Sequence, residues 1–254
     1  MIMRIASPLA IPAAAALAVL LAACNGNSSP PAADPAPPPA PTTASFEVSL
    51  VNLTAGQALS PMVALAHTDA FHLFTIGEAA SVALEHLAEG GETAPLAALA
   101  GDAKSVLAVG IAGAGLPPGP DAKAVVTLTV PLASVPGLRL SMASMLGNTN
   151  DGFAGLAEQP LDTLAVGAST TLRLLGYDAG TELNTESADS VPGPATANGG
   201  GKREAFNASR DDVVNTVRVH PGIVSRDDGL ATSALTQAQR WDNPVALLSV
   251  KRTR

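Results

Sequence analysis

A single cysteine serves the whole chain of 254 residues, and it stands at position 24. Ahead of it Arg4 supplies a positive start, an Ala/Leu/Val-rich run extends to Leu21, and Leu21-Ala22-Ala23 closes the run with small residues, the layout of an export signal. Residues 1–23 therefore read as a bacterial-type lipoprotein signal peptide, with Cys24 as the lipidated first residue of the mature chain. An ordinary signal cleaved after Ala23 and a short membrane anchor are the other readings of the same residues; the run falls short of the ~20 apolar residues that a comfortable span needs. With Cys24 acylated, the folded part holds no thiol, which excludes a disulfide, a thiolate metal site and a cysteine nucleophile. Asn25 follows where Asp would signal inner-membrane retention in bacterial sorting, so the expected address is the outer membrane, facing periplasm or cell surface.

Basic residues are also scarce. Lys and Arg number 14 against 22 Asp and Glu, for a net charge of −8, and nothing resembles the basic patch that attracts a phosphate backbone. Nucleic acid is excluded as a partner on that ground. Catalytic motifs are lacking as well: the chain has no Gly-x-Ser-x-Gly elbow, no His-Glu-x-x-His and no complete Ser-x-x-Lys set. His67, His72, His86 and His220 are scattered, and His67 and His72 are spaced wrongly to share a helical face as a zinc pair does. A hydrolase is thus the weakest reading, and the chain is read as no enzyme. Gly110-Ile111-Ala112-Gly113-Ala114-Gly115 lacks the Lys-Ser/Thr ending of a phosphate loop and runs into Leu116-Pro117-Pro118-Gly119-Pro120, so it reads as a flexible loop.

What the chain does have is a proline-rich start followed by short β-patterned segments. Residues 24–44 are the lipidated cysteine and a Pro/Ala-rich linker, too poor in large apolar side chains to pack a core and able to reach roughly 60 Å as extended polyproline. Residues 45–254 are read as one domain. Phe46–Leu53, Ala124–Val130, Leu138–Met145, Ser169–Leu175, Val213–Val219 and Val245–Arg252 carry strand patterns. Phe71-His72-Leu73-Phe74 gathers part of the small aromatic set, with Phe71 and Phe74 read as core and His72 as packed or hydrogen-bonded there. Glu78–Ala88 reads as a helix stopped by Gly90-Gly91, and Pro95–Leu99 as a shorter one. Residues 187–212, rich in Gly, Pro, Asn and Ser, read as a long exposed loop, and Trp241 as a core residue. The pattern predicts a mainly all-β fold, an antiparallel sandwich with a short helical insertion.

Two acidic turns follow strand-like runs: Asn148-Thr149-Asn150-Asp151-Gly152-Phe153 and Tyr177-Asp178-Ala179-Gly180-Thr181-Glu182-Leu183-Asn184. Asp151, Asp178 and Glu182 would supply three carboxylates to a calcium ion, which takes about six to eight oxygens. Asp, Asn and Gly are also what ordinary turns use, so the spacing leaves a calcium site and a pair of solvated turns both open.

The same residues carry a family resemblance. Ser141-Met142-Ala143-Ser144-Met145-Leu146 leading into the first turn, together with the second turn, resembles the spondin N-terminal domain, in particular its bacterial secreted members. Phe71–Ser81, Val219-His220-Pro221-Gly222-Ile223 and Trp241-Asp242-Asn243-Pro244-Val245-Ala246 agree with it. The resemblance implies an antiparallel β-sandwich like that of C2 domains, with calcium bound at one end by acids of the two turns. Carried over by position these are Asp151, Asp178 and Glu182, the last a departure because the animal pattern has Asp there. It further implies a non-enzymatic adhesion or recognition module. The expected contacts are a membrane, through the lipid at Cys24, and a protein or glycan ligand; a structural envelope lipoprotein without metal is the alternative.

Overall fold

Alternation of apolar and polar residues builds one half of the molecule, and burial on both faces builds the other. The computed structural model describes residues 39–102 and 105–254; the signal at 1–23, Cys24 and the linker through Pro38 lie outside the described residues. In chain order the elements are β1 (Thr43–Asn52), β2 (Val63–His67), α1 (Val82–Gly90), α2 (Ala94–Asp102), β3 (Val106–Ile111), β4 (Lys123–Pro131), β5 (Arg139–Met145), β6 (Gly152–Pro160), β7 (Ser169–Asp178), β8 (Arg218–Val219) and β9 (Ala246–Arg252). The strands pair antiparallel throughout, in the order β3-β2-β5-β6-β7-β9-β1-β4, with β8 added to β7. The fold is all-β, a sandwich made from one sheet that turns over at β7. Ser169–Leu174 of that strand pair with β9, and Leu175–Asp178 pair with β6. No helix among the described residues is long and apolar enough to cross a membrane.

The alternating half is β4, β1 and β9. Ala124, Val126, Leu128 and Val130 point inward from β4, while Lys123, Val125, Thr127 and Thr129 point out. Register sets Phe46 opposite Leu128, Val48 opposite Val126 and Val250 opposite Val48, so cross-strand partners stack on one apolar face. Each large side chain fully buried there contributes about 1.5–3 kcal/mol.

β2 shows no alternation because it has no solvent side. Ala64 and Ala66 join the core between the two halves of the sheet. Val63 and Leu65 join a second apolar cluster with Leu84, Leu87 and Ala88 of α1, Leu96 of α2 and Phe153 of β6. A strand buried on both faces reads as a plain apolar run, which is why the sequence reading passes over β2; it also passes over β3 and β6.

Helix α1 starts at Val82, four residues later than the composition suggests. Ser81 caps it, its Oγ accepting from the Leu84 amide at 3.2 Å. Ahead of the cap the Glu78 amide closes a turn on the Thr75 carbonyl at 3.1 Å, and Gly77 donates to the Val217 carbonyl and Val217 to the Glu78 carbonyl, both at 2.8 Å, which keeps that stretch out of the helix. Gly91, at φ 68°, closes the helix through its amide to Leu87.

Three other expectations are corrected. Residues 213–217 are not strand: the Asp212 carboxylate accepts from the Val214 amide at 2.8 Å and bends the chain, leaving Val213 86% exposed, and only Arg218–Val219 pair with β7. Residues 187–212 are not simply an exposed loop, since Val191 and Thr196 are buried and Val191 packs with Ile223, Leu235 and Trp241. His72 is outside the core, with its side chain 55% exposed and its Nδ1 3.3 Å from Glu158. Of these two histidines His67 is the buried one, its ring nitrogens 2.7 Å from the Thr68 carbonyl and 2.7 Å from Ser141 Oγ.

Candidate metal centre

Antiparallel order makes β5 and β7 run in the same direction on either side of β6, so the turns that follow them fall at one pole of the sheet. The β5–β6 turn is buried in spite of its composition: Asn148, Thr149, Asn150 and Asp151 are all within 2% of full burial. Its polar groups are taken up locally. Thr149 Oγ1 donates to the Leu146 carbonyl at 2.6 Å and accepts from the Gly152 amide at 2.9 Å. Asn148 donates to the Gly56 carbonyl and accepts from the Ala195 amide, each at 2.9 Å. Asn150 donates to Ser190 Oγ at 2.8 Å and accepts from the Glu186 amide at 3.2 Å.

The second turn wraps the first. At Gly180, φ is 72° and an added Cβ would lie 2.5 Å from the Thr216 backbone, so glycine alone fits where the turn passes the 212–217 segment. Beyond it the Thr181 and Glu182 amides donate to Asp151 Oδ2 at 2.8 and 3.1 Å. Asp178 accepts from the Gly180 amide on Oδ1 and from Asn184 Nδ2 and Arg218 Nη2 on Oδ2, each at 2.8 Å.

Asp151, Asp178 and Asp212 each offer an oxygen, and these lie within 4.8 Å of one another. Two of the three residues expected from the sequence, Asp151 and Asp178, therefore meet, and the third member of the group is Asp212. Glu182 touches the group through its amide; its carboxyl is outside the three that converge and stands in the field of Glu89, Asp151 and Asp211. Asp212, Asn184 and Arg218 are the residues that sequence reasoning missed. Asp212 sits in a segment whose turn chemistry gives no motif signal; the pairing of β8 with β7, together with the Asp211 amide donating to the Thr181 carbonyl at 3.1 Å, carries it to the pole.

Electrostatically the pole is uncomfortable for its own acids. Burial, with Asp178 beside it, pushes the Asp151 carboxyl up to about 7, against the two amides that favour its charged form. Burial also raises Asp178, opposed by Asn184 and Arg218. Glu182 is pushed up to about 9 by burial and then by Glu89 and Asp151, and Glu186 to about 7 by burial. Buried oxygens of Asp151 (Oδ1), Glu182 (Oε2), Asn184 (Oδ1) and Glu186 (Oε2) have no hydrogen-bond partner. An all-oxygen set with orphaned, buried acceptors is what a hard cation requires, and no His or thiolate stands among the three converging groups.

No curated protein matches the chain. The Spondin_N family model matches residues 52–197, a span that holds both acidic turns and stops short of Asp212 and Arg218. The chain belongs to the Spondin_N family.

Proposed function

We propose that this is a non-enzymatic recognition module, held to a bacterial membrane, most simply the outer one, by a lipid on Cys24 and stabilised by a calcium ion at the acidic pole. The observation that carries the calcium reading is Asp151 Oδ1: it has no hydrogen-bond partner, and it belongs to a fully buried carboxylate that converges with those of Asp178 and Asp212. An unpartnered buried acceptor of this kind costs about 1–3 kcal/mol, and a cation removes that cost. Asp151, Asp178 and Asp212 would hold the ion, with the free Asn184 oxygen beside Asp178 as a neutral addition and Glu182 as flanking negative charge. When bound, the ion supplies positive charge that keeps these carboxylates ionised together. The chain's own contribution is to fix the two turns: Asp151 holds the 181–182 amides and Asp178 holds Gly180 and Asn184, so ordering the acids orders the loops that would meet a protein or glycan.

A metal-free structural role is favoured by one observation, that Arg218 already pairs with Asp178 and Asp212. Calorimetry and thermal melting separate the two. Calcium is expected to bind with micromolar to millimolar affinity and to raise Tm, EDTA to reverse the shift, and Asp151→Asn to abolish both binding and shift while folding normally. No heat and no shift across that range would leave the metal-free role standing.

A further inference from the structure

The three acids of the pole share it with one cation of the protein's own. β8 is two residues long, and its pairing with β7 sets Arg218 directly opposite Asp178. From there Arg218 Nη2 donates to Asp178 Oδ2 at 2.8 Å and to Asp212 Oδ2 at 2.6 Å, joining two of the three carboxylates through a single nitrogen. Nη1 donates to the Val214 carbonyl at 2.8 Å, which fixes the guanidinium plane against the bend that presents Asp212. The other oxygens of the two aspartates accept only backbone amides, from Gly180 and Val214. Asp151, the carboxylate that Arg218 does not touch, is the one left with an orphaned oxygen.

We propose that Arg218 is the residue that sets the charge of the site and hence which cations it accepts. This rests on the calcium reading above. Three carboxylates facing one guanidinium leave two negative charges, the match for a divalent ion, and the guanidinium withdraws one oxygen of Asp178 and one of Asp212 from competition for it. Without Arg218 the three carboxylates keep all three negative charges, with Asp212 Oδ2 free and Asp178 Oδ2 held by Asn184 alone, and the preference of the site moves toward ions of higher charge. Arg218 thus acts as a positioning and charge-setting residue, not as a ligand. Lysine at this position keeps the charge but lacks the planar fork that reaches both acids and the Val214 carbonyl together.

The test compares calcium with terbium, a trivalent ion of similar size and oxygen preference, on the full folded chain. Calcium affinity is read by calorimetry and terbium affinity by sensitised luminescence. In Arg218→Gln the ratio of terbium to calcium affinity is expected to rise by about tenfold or more, the scale of one unit charge at contact near a protein surface. The metal-free Tm of this variant should fall, since Asp178 and Asp212 lose their partner. The double variant Arg218→Gln/Asp212→Asn returns the pole to two negative charges and should recover a ratio close to that of the unaltered protein. It also serves where the single variant proves too unstable to handle. An unchanged ratio, or calcium and terbium weakened equally in Arg218→Gln, overturns the assignment while leaving the calcium site intact. Binding of neither ion by any of the three proteins overturns both readings. Binding by Arg218→Gln alone supports the assignment of Arg218 and overturns the calcium reading, because the arginine would then be what excludes the ion.

Discussion

The β1–β4–β9 half of the sandwich and the acidic pole are both buried, and they are built on opposite terms. In the first, every inward side chain meets another of its kind: Phe46, Val48 and Leu50 of β1, Val126, Leu128 and Val130 of β4, and Leu248 and Val250 of β9 are all between 0% and 7% exposed and belong to one cluster. In the second, Asp151 and Asp178 are equally buried, but they are held by amides and an arginine, and partner-free oxygens remain on Asp151, Glu182 and Glu186. The apolar half supplies stability that does not depend on protons or cations, whereas the pole draws on it by an amount that does. Charged groups retained inside a fold at such a cost point to a site rather than to packing.

The largest effect should come from the apolar half. Leu128→Ala removes a fully buried side chain facing Phe46, and it should cost about 2–5 kcal/mol in urea unfolding. The same loss is expected in EDTA and in saturating calcium, because β4 contributes nothing to the pole. A loss that changed with calcium would mean that the two regions are coupled through the sheet and would break the contrast.

A smaller effect, of pH, belongs to the pole alone. Buried acids that hold their protons to about 7 (Asp151, Glu186) and about 9 (Glu182) bind protons that the unfolded chain has already released. The contribution of these acids to the stability of the metal-free protein is therefore full near the ordinary carboxylate range of about 4 and is lost progressively as pH rises toward about 9. His220 gives a limb of the opposite sign: burial, then Arg218, lowers it to about 4, so stability is also lost as pH falls below the ordinary histidine value. Thermal melts in EDTA should thus decline on the alkaline side, and Glu182→Gln should flatten the upper part of that decline. Calcium should flatten it further, since an ion favours the ionised acids. A melting temperature independent of pH between 6 and 9 in EDTA would show that the pole is not strained by its charges.

How much of this was legible in the sequence follows the same division. β1, β4, β7 and β9 announce themselves because one face of each meets solvent for part of its length and the side chains alternate. β2, with all five residues buried, carries no period, and α1 could not be placed to the residue without seeing that Ser81, not Glu78, caps it. At the pole, Asp151 and Asp178 were legible because each ends or follows a readable strand, the first between Asn150 and Gly152 and the second two residues before Gly180. Asp212 and Arg218 were not: Val213–Val219 reads as one strand, and nothing in it shows that only its last two residues pair with β7 or that this turns Arg218 to Asp178. Spacing alone likewise did not show that Glu182 meets Asp151 through its backbone amide while its carboxyl stands in that acid's field.

The smallest effect should come from charges that resemble those of the pole in chemistry and differ in exposure. Glu158 accepts from Arg139 at 2.9 Å and lies 3.3 Å from His72, so it too is a carboxylate paired with an arginine. Its side chain is 31% exposed, Arg139's 32% and His72's 55%, so water screens each pair. His72→Ala leaves Arg139 in place to hold Glu158, and it should change unfolding free energy by no more than about 1 kcal/mol, by less in high salt, and equally with and without calcium. If that exposed trio instead proved as costly to disturb as Asp178 and Arg218, burial would not be what separates the two clusters. The strain assigned to the acidic pole would then need an origin other than the burial of its carboxylates.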